Sequence, residues 1–249
     1  MKGEVGVKSV SIIMPTYNES GNVSDLILES IRSVKGYGVS LVEVIVVDDD
    51  SPDLTWKIAM ATASPDAEVR VIRRMENHGL TASLNEGIAA ARMEVIVWFD
   101  CDFSQPPDKI PQLLFMINQG FDLAVNSRYV LGGGENRTGK GGNQQLFLSK
   151  WLNRLLRHVL DSSFYDYTSG FVAVRREMFN DLKLRGDYGE YFIDFMYRVL
   201  CDKRYRVCEL PYIMQPRRSG ESKTGANLMQ FMKRGRKYLM TIIRLRLCR

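Results

Sequence analysis

The hydrophobic positions of the first hundred residues form four short apolar runs separated by amphipathic stretches. The runs have strand length and continuous apolar character, which predicts strands buried on both faces; they occupy residues 10–14, 42–47, 69–72 and 95–99. Helical spacing between them predicts a helix capped by Ser20 and two more over 54–63 and 80–91. Strands and helices alternating in this way predict an α/β fold with a mostly parallel, Rossmann-like sheet and helices on both faces.

The rest of the chain continues this pattern less regularly. Helices are predicted over 108–119, 144–160 and 191–201, and strands over 123–126, 171–174 and 206–210. A glycine-rich stretch from Gly132 to Gly142 predicts a flexible loop and is a candidate lid. We expect one domain over 1–227 and a helical appendage over 228–249.

Polar clusters follow three of the four early strands. They are Thr16-Tyr17-Asn18-Glu19, Asp48-Asp49-Asp50 and Asp100-Cys101-Asp102. Ligands bind outside the carboxyl ends of the strands in parallel sheets. We therefore expect these clusters to converge on one edge of the sheet and to form a binding site there.

The Asp100–Asp102 pair is the strongest candidate for metal chemistry. Alternate side chains of an extended segment point to the same side, so the two carboxylates can share one cation. A hard divalent ion, Mg²⁺ or Mn²⁺, held by one or two carboxylates usually completes its shell with substrate phosphates. Acidic pairs at strand ends are also common as solvated caps, and it is the neighbouring polar strand ends that favour a diphosphate site here.

Several other polar residues allow both a structural and a functional interpretation. The Asp48–Asp50 cluster is equally consistent with a turn and with hydrogen bonds to a nucleoside base or ribose. Tyr17 could be a core residue or a stacking surface for a base. Arginine and lysine suit phosphates but are mostly solvated surface charges; the candidates are Arg128, Arg217, Arg218 and Lys223.

Composition excludes several function classes. The four cysteines form no CxxC pair and there are only two histidines, which argues against a disulfide framework, a zinc cluster or a histidine metal site. No Ser-His-Asp or Cys-His arrangement is evident. The glycine run lacks the strand–GxGxxG–helix context of dinucleotide-binding folds, which disfavours NAD.

The positive charge is concentrated at the end of the chain. Eight basic and no acidic residues follow Glu221, whereas residues 1–221 carry 26 basic and 29 acidic residues, a net charge of −3. This distribution argues against nucleic acid and points to a localised anionic partner. The apolar spacing from Leu228 predicts a basic amphipathic helix, which could lie in a membrane interface or pack on the domain. Neither a secretory signal nor a spanning helix is predicted, so we expect peripheral association with the cytoplasmic face of a membrane.

Six motifs occur in a particular order along the chain. They are Pro15-Thr-Tyr-Asn-Glu19, Val47-Asp-Asp-Asp-Ser-Pro-Asp53, Asp100-Cys-Asp-Phe-Ser-Gln-Pro-Pro107, Ser127-Arg-Tyr129 with the glycine run, Thr168-Ser-Gly-Phe171 and Gly220-Glu-Ser-Lys223. With these motifs the chain resembles GT-A glycosyltransferases, specifically the dolichol-phosphate mannosyltransferase family, from Val10 to about Lys223. The resemblance implies a GT-A nucleotide-diphospho-sugar transferase fold. It also implies inverting transfer of a hexose, with mannose favoured, from GDP-mannose to a dolichyl or polyprenyl phosphate.

The resemblance further implies roles for individual residues. Asp100 and Asp102 would hold Mg²⁺ or Mn²⁺ and, with Arg128, form the catalytic set. Ser149 and Arg217 would bind the lipid phosphate of the acceptor. The nucleotide-sugar site would comprise Pro15, Tyr17, Glu19, Val47, Asp48, Asp49, Asp100, Cys101, Asp102, Arg128, Arg217 and Lys223. A membrane surface is an implied partner, and the need for a small membrane subunit stays open.

Three positions depart from the family pattern. Gln145 occupies a place where some members have a phosphate-binding arginine, which Arg137 or Lys140 could replace. Ser104 stands where the family often has glutamine, and the segment 216–219 keeps only the family's Arg217. These departures concern the sugar and the acceptor more than the reaction class.

Three alternatives follow. The chain could be a polyprenyl-phosphate glucosyltransferase that uses UDP-glucose, or a related glycosyltransferase with a soluble or polysaccharide acceptor. A third alternative, of another class, is a catalytically silent subunit that binds nucleotide or lipid. The basic tail and the 220–223 motif disfavour a non-lipid acceptor, and the intact Asp100–Asp102 pair disfavours a silent subunit.

Overall fold

The computed structural model describes residues 6–136, 142–219 and 228–247, without the side chains of 142–145 and 228–234. The strands are β1 Ser9–Thr16, β2 Leu41–Asp48, β3 Glu68–Arg73, β4 Val95–Trp98, β5 Leu123–Ser127, β6 Gly134–Glu135, β7 Val172–Arg175, β8 Val207–Pro211 and β9 Ile213–Met214. The α-helices are α1 Val23–Gly36, α2 Thr55–Ala61, α3 Leu80–Ala90, α4 Ile110–Asn118, α5 Gly142–Val159, α6 Glu190–Cys201 and α7 Leu228–Leu247.

In the described part of the chain, seven strands form a central sheet in the order β3-β2-β1-β4-β7-β5-β8. The first four of these run parallel, and β5 and β8 are also parallel to each other. Strand β7 lies antiparallel between β4 and β5. The predicted α/β fold with a mostly parallel sheet is therefore confirmed.

Helices cover both faces of the sheet because its strands are apolar on both sides. Along β1, Ile12 and Met14 pack into one hydrophobic cluster with residues of α1 and α4, whereas Ile13 packs into the other with α3 and α6. This alternation is the period of two of a strand. Helix α3 lies very close to the sheet at Gly87, where a Cβ atom would stand 2.5 Å from Ile13 Cγ2.

Helix α7 packs against α6 and the cluster around it. Ile242 and Leu245 are buried in the same cluster as α6, and Arg244 forms an ion pair with Asp194 at 2.8 Å. The opposite face of α7 exposes an apolar stripe, which consists of Leu239, Met240, Ile243 and Leu247. Of the two settings predicted for this helix, packing on the domain is the one that the structure shows.

Two local predictions were wrong. Helix α1 begins at Val23, with Asn22 and not Ser20 in the capping position, because the chain first turns through a loop tied to Asp53. The glycine-rich stretch is not wholly a loop, since β6 pairs with β9 in a separate two-stranded sheet. Residues 137–141 of the predicted lid lie outside the described residues.

Candidate active site

The carboxyl ends of β1, β2 and β4 meet at one edge of the sheet, as predicted from their polar ends. The parallel register places Thr16 beside Asp48, and Ile13 beside Trp98 of β4. The Thr16 hydroxyl donates to Asp48 Oδ2 at 2.8 Å. The segment that carries Asp100 and Asp102 leaves β4 at this same edge.

A tight loop after β4 fixes the two aspartates. The Asp100 amide donates to Gln105 Oε1 at 2.9 Å, and Gln105 Nε2 donates to the Ser169 carbonyl at 2.9 Å. The Ser104 amide donates to Asp102 Oδ1 at 2.8 Å. Phe103 has a φ of +64°, in the left-handed region that non-glycine residues seldom adopt. Gln105, which the sequence-based interpretation left without a role, thus ties the acidic loop to the sheet.

The two carboxylates create a site with excess negative charge. The Asp100 side chain is exposed, although the protein around it displaces part of its hydration. This partial desolvation, together with the charge of Asp102, raises the pKa of Asp100 to about 7. The charges of Arg217 and Arg128 act in the opposite direction. Two neighbouring carboxylates repel each other when both are ionised, and a cation bound between them would reduce this repulsion.

Arg217 lies between two of the predicted site residues. Its Nη2 is 2.7 Å from Glu19 Oε1 and 3.2 Å from Asp102 Oδ2. Glu19 is itself held by the Asn22 amide, which donates to its second carboxylate oxygen at 2.8 Å. The buried Nε of Arg217 has no hydrogen-bond partner among the described residues. A cation with an unused donor therefore stands directly beside the aspartate pair.

The Asp48–Asp50 cluster divides into three different environments. Asp48 is fully buried and accepts from Thr16 and from both the amide and the hydroxyl of Ser51, which makes it the anchor of the turn. Asp49 accepts from the Gly79 amide at 2.6 Å and forms an ion pair with Arg74. Asp50 forms an ion pair with Arg73 near the surface.

Arg74 is a residue that the sequence-based interpretation missed. Its side chain is buried and contacts Asp49, Ser83 and the carbonyl of Asn77. The signal was weak because Arg73-Arg74 at a strand end is indistinguishable from ordinary surface charge. The structure makes Arg74 part of the same strand-end cluster as Asp49.

Four predicted donor-site residues differ in how accessible their side chains are. Tyr17 is exposed at the strand end and Pro15 is half-buried. The Val47 side chain is fully buried beneath α3, and that of Cys101 is buried in the core cluster that contains α1. The side chains of Val47 and Cys101 therefore do not line the open edge, because their strand and loop positions direct them inward.

Arg128 is buried in a network of ion pairs. Its Nε and Nη2 donate to the two carboxylate oxygens of Asp166 at 2.8 and 2.7 Å, and its Nη1 is 3.2 Å from Glu135 Oε1. Its positive charge lowers the pKa of Asp100. Two carboxylates already share the Arg128 guanidinium.

Ser149, on α5, lies in the same network. Its Oγ is 2.7 Å from the Tyr129 hydroxyl, and its carbonyl accepts from Asn153 Nδ2 at 2.9 Å. Asn153 also donates to Thr168 Oγ1, which links α5 to the Arg128 cluster. The other predicted phosphate contacts, Lys223 with the 220–223 motif, Arg137 and Lys140, lie outside the described residues, as does the Gln145 side chain.

The profile of glycosyl transferase family 2 matches residues 11–183. The chain belongs to glycosyl transferase family 2. The matched residues of this glycosyltransferase include Asp100, Asp102 and Arg128, whereas Arg217 lies beyond them. The predicted membership of a glycosyltransferase family is confirmed.

Curated relatives of this family 2 glycosyltransferase carry names that refer to polyprenyl phosphates. It is 33% identical over 227 residues to the dolichol-phosphate mannosyltransferase of Pyrococcus furiosus, covering 90% of this chain and 62% of that one. It is 34% identical to the polyprenol monophosphomannose synthase of Mycolicibacterium smegmatis, covering 89% of this chain and 83% of that one. An undecaprenyl-phosphate 4-deoxy-4-formamido-L-arabinose transferase of Salmonella paratyphi B is 28% identical, covering 87% and 63%. The chain thus spans under two thirds of the first and third of these relatives.

Solved structures confirm the GT-A fold of the glycosyltransferase. Glucosyl-3-phosphoglycerate synthase from Mycobacterium tuberculosis, solved with Mn²⁺, UDP and glucosyl-3-phosphoglycerate, has a TM-score of 0.67 at 20% identity, covering 96% of this chain and 80% of that one. The structure of the same enzyme with Mg²⁺ and UDP has a TM-score of 0.68 at 19% identity, covering 96% of this chain and 79% of that one. At these identities the likeness concerns the fold.

Proposed function

We propose that this glycosyltransferase transfers a hexose, mannose in the first instance, from GDP-mannose to a dolichyl or polyprenyl phosphate with inversion. The observation that carries the proposal is the position of Arg217, which bridges Glu19 and Asp102 and keeps an unused Nε donor beside the aspartate pair. Guanidinium groups bind phosphates with two parallel hydrogen bonds. The names of the Pyrococcus and Mycolicibacterium relatives support the choice of mannose and of a polyprenyl phosphate.

The aspartate pair fits a divalent cation, Mg²⁺ or Mn²⁺. Within residues 6–136, 142–219 and 228–247, no group of three or more histidine, cysteine, aspartate or glutamate side chains could hold a metal. In the proposal, Asp100 and Asp102 supply the protein ligands, because Mg²⁺ that also binds substrate phosphates usually needs only one or two carboxylates. Such a cation, when bound, neutralises the charge that develops on the departing nucleoside diphosphate.

The residues of the chain would contribute mainly by positioning and charge. Arg217 would exchange its contacts with Glu19 and Asp102 for the donor diphosphate, and Lys223 would bind a phosphate near it. Asp49 with Arg74, and the exposed Tyr17, would contact the nucleoside. An acceptor phosphate is already anionic, so holding it in line with the anomeric carbon would supply most of the rate enhancement.

A membrane surface is part of the proposal because the acceptor is a lipid. The described helices include none that is long and apolar enough to cross a bilayer. Helix α7 exposes its apolar stripe, and Arg236 and Arg246 of the same helix are also exposed. We propose that this face lies against the anionic cytoplasmic surface of a membrane.

A donor panel tests the reaction. Purified protein is incubated with GDP-mannose, UDP-glucose or UDP-N-acetylglucosamine, a short polyprenyl phosphate and Mn²⁺, and lipid-linked product is extracted and measured. GDP-mannose should give the main product, and addition of EDTA should abolish it. A preference for UDP-glucose would favour the glucosyltransferase alternative. If no donor gives a lipid-linked product, the proposed reaction is wrong. Because the name of the Salmonella relative refers to 4-deoxy-4-formamido-L-arabinose, a nucleotide-linked form of that sugar is added to the panel.

A further inference from the structure

Helix α5 has an apolar face that is exposed on the surface of the protein. The exposed apolar side chains are Phe147, Leu148 and Trp151, which we call the apolar face of α5. Trp151 is one helical turn from both of the others, so the three side chains are neighbours. Single exposed apolar residues are ordinary on protein surfaces. A group of three that includes two large aromatic rings indicates a contact surface.

The opposite side of α5 anchors the helix to the rest of the protein. Leu156 is buried in the cluster that also contains α6. Asn153 is buried, and its amide donates to the Ser149 carbonyl and to Thr168 Oγ1, both at 2.9 Å. Ser149 is two residues before Trp151 and therefore does not share a side of the helix with it. The apolar face of α5 thus takes no part in this anchoring.

The charges next to the apolar face of α5 all have one sign. Lys150 and Arg154 are exposed, each is one turn from an aromatic ring of the face, and the sequence of the helix contains no aspartate or glutamate. Arg157 has a different role, because its guanidinium lies over the Tyr165 ring, 3.7 Å from the centroid. Aromatic and basic residues on one surface helix are typical of helices that lie in a membrane interface, where tryptophan is enriched.

We propose that the apolar face of α5 inserts into the interface of an anionic bilayer, with Lys150 and Arg154 against the lipid headgroups. The inference rests on the proposed function, because a lipid acceptor is the reason for the protein to meet a bilayer. It goes beyond that function by assigning a membrane contact on the helix that carries Ser149, which α7 does not supply.

This orientation gives the acceptor phosphate access to Ser149. A helix that lies in the interface buries its apolar face about 5–10 Å into the boundary between headgroups and acyl chains. Ser149 lies on another side of the helix, whose diameter with side chains is about 10–12 Å. The serine is therefore at the depth of the headgroups. A lipid phosphate reaches it there while the hydrocarbon chain stays in the bilayer.

Two observations favour a bilayer over a second copy of the chain. Leu156 of α5 and Ile242 of α7 are buried in the same cluster, so both helices cover the same face of the sheet, and α7 also exposes an apolar stripe. A single bilayer on that side can take up both helices. A symmetric contact between two copies would instead bring Lys150 and Arg154 towards their own counterparts, and like charges repel.

Tryptophan quenching tests the insertion of α5. The chain has three tryptophans; Trp98 is buried in the core and Trp56 lies on α2 beneath the Arg73 guanidinium. The full chain is mixed with vesicles of phosphatidylcholine and phosphatidylglycerol that carry bromine on the acyl chains. We expect quenching in the wild type and in Trp56→Phe, and little in Trp151→Phe although that variant still binds. Equal quenching in the wild type and Trp151→Phe, or none in the wild type, would overturn the proposal.

Two phenylalanine variants separate docking from a general loss of apolar surface. Phe147 is 67% and Phe115 52% exposed, but Phe115 lies on α4, whose buried residues belong to the cluster on the other face of the sheet. Phe147→Ser should weaken cosedimentation with these vesicles roughly tenfold, and Phe115→Ser should leave it unchanged. Lys150→Ala should weaken it about fivefold, and only when phosphatidylglycerol is present. Equal binding by the two phenylalanine variants would show that α5 does not dock.

The transfer assay keeps this inference distinct from the proposed function. The vesicles contain no polyprenyl phosphate, so binding is measured independently of the reaction. Lipid-linked product from a short, water-soluble acceptor, together with unquenched Trp151, would retain the transferase and refute the docking. Quenched Trp151 without product from any donor would retain the docking and refute the transferase. A lipid-free dimer that Phe147→Ser converts to a monomer, seen by sedimentation velocity, would replace the bilayer with a second copy and overturn the proposal.

Discussion

Arg128 and Asp166 form a buried ion pair in which two guanidinium nitrogens donate to the two carboxylate oxygens. Asp166 also accepts the backbone amide of Arg128 at 2.9 Å. The pair therefore fixes both the main chain and the side chain of Arg128 at the end of β5. Because Glu135 and Thr168 contact the same guanidinium, this pair organises the part of the site where we propose that the acceptor binds.

Replacement of Asp166 by alanine should destabilise the protein strongly. It leaves the Arg128 charge buried without its main partner, and breaking a buried pair in this way costs about 3–5 kcal/mol. Urea denaturation measures the loss. Asp202→Ala is the matched control, because Asp202 pairs with Arg204 at the surface and its removal should leave the urea midpoint nearly unchanged. Similar midpoints for both variants would show that the buried pair is not a major source of stability.

Asp102→Ala should abolish metal-dependent transfer while the protein remains folded. The variant loses one of the two carboxylates available to the cation. A loss of ~4 kcal/mol of charge stabilisation corresponds to about a thousandfold lower turnover. Turnover is measured against Mn²⁺ concentration, and Mn²⁺ binding is followed by electron paramagnetic resonance. Asp108→Ala, which removes an exposed acid a few residues away, should retain both. Wild-type turnover in Asp102→Ala would show that the metal binds elsewhere.

Glu209 should make the protein less stable as the pH rises from about 4.5 to 7. Burial raises the pKa of Glu209 from 4.5 to about 7, although it accepts hydrogen bonds from the amides of Tyr165 and Asp166. The folded state then holds a proton that the unfolded state has released, so stability is lost through this window, by about 3 kcal/mol at most.

Glu209→Gln should remove that dependence on pH. The amide does not titrate, so the difference in unfolding free energy between the wild type and the variant should shrink as the pH rises through the window. Thermal or urea unfolding at a series of pH values provides the measurement. A difference that stays constant from pH 4.5 to 7 would show that Glu209 titrates normally in the folded protein.

Two adjacent isoleucines of α7 should separate folding from membrane binding. Ile242 is 7% exposed and packs on the domain, whereas Ile243 is 48% exposed and belongs to the apolar stripe. Ile242→Ala should lower stability by about 2–4 kcal/mol and leave vesicle binding to the folded protein intact. Ile243→Ala should leave stability nearly unchanged and weaken binding to vesicles that contain anionic lipid. It removes three carbons whose surface is about half exposed to lipid, so ~0.8 kcal/mol per buried CH₂ amounts to about 1.2 kcal/mol, or roughly tenfold weaker binding. Unaltered vesicle binding by Ile243→Ala would argue that α7 does not face the membrane.

Much of the fold was predictable because its signals are local. The strands β1 to β4 and the helices between them appear as apolar runs and helical spacing, and alternating elements of this type have few stable arrangements. The antiparallel insertion of β7 between β4 and β5 was not predictable in this way. Neither was the pairing of β6 with β9, because two-residue strands have no periodicity and depend entirely on a distant partner.

The site was predictable to a smaller extent. The motifs indicated Asp100, Asp102 and Arg217, and the structure places these three together. Gln105, Arg74 and Asp166 were missed, because a polar residue in a loop acquires its role from contacts with segments far away in sequence. Asp48 shows the same limit. Its carboxylate was predicted to bind the nucleoside, but in the structure it accepts the amide and the hydroxyl of Ser51 and so holds the turn.

By itself, the sequence determined the strand and helix pattern, the polar strand ends and the aspartate pair, because these depend on residues that are neighbours along the chain. Only the tertiary structure decided which charges neutralise one another. Arg128, proposed as a cation for phosphates, is shared by Asp166 and Glu135, whereas Arg217 retains a donor beside Asp102. Whether a buried charge is available to a ligand depends on its partners across the fold, and the sequence does not specify those partners.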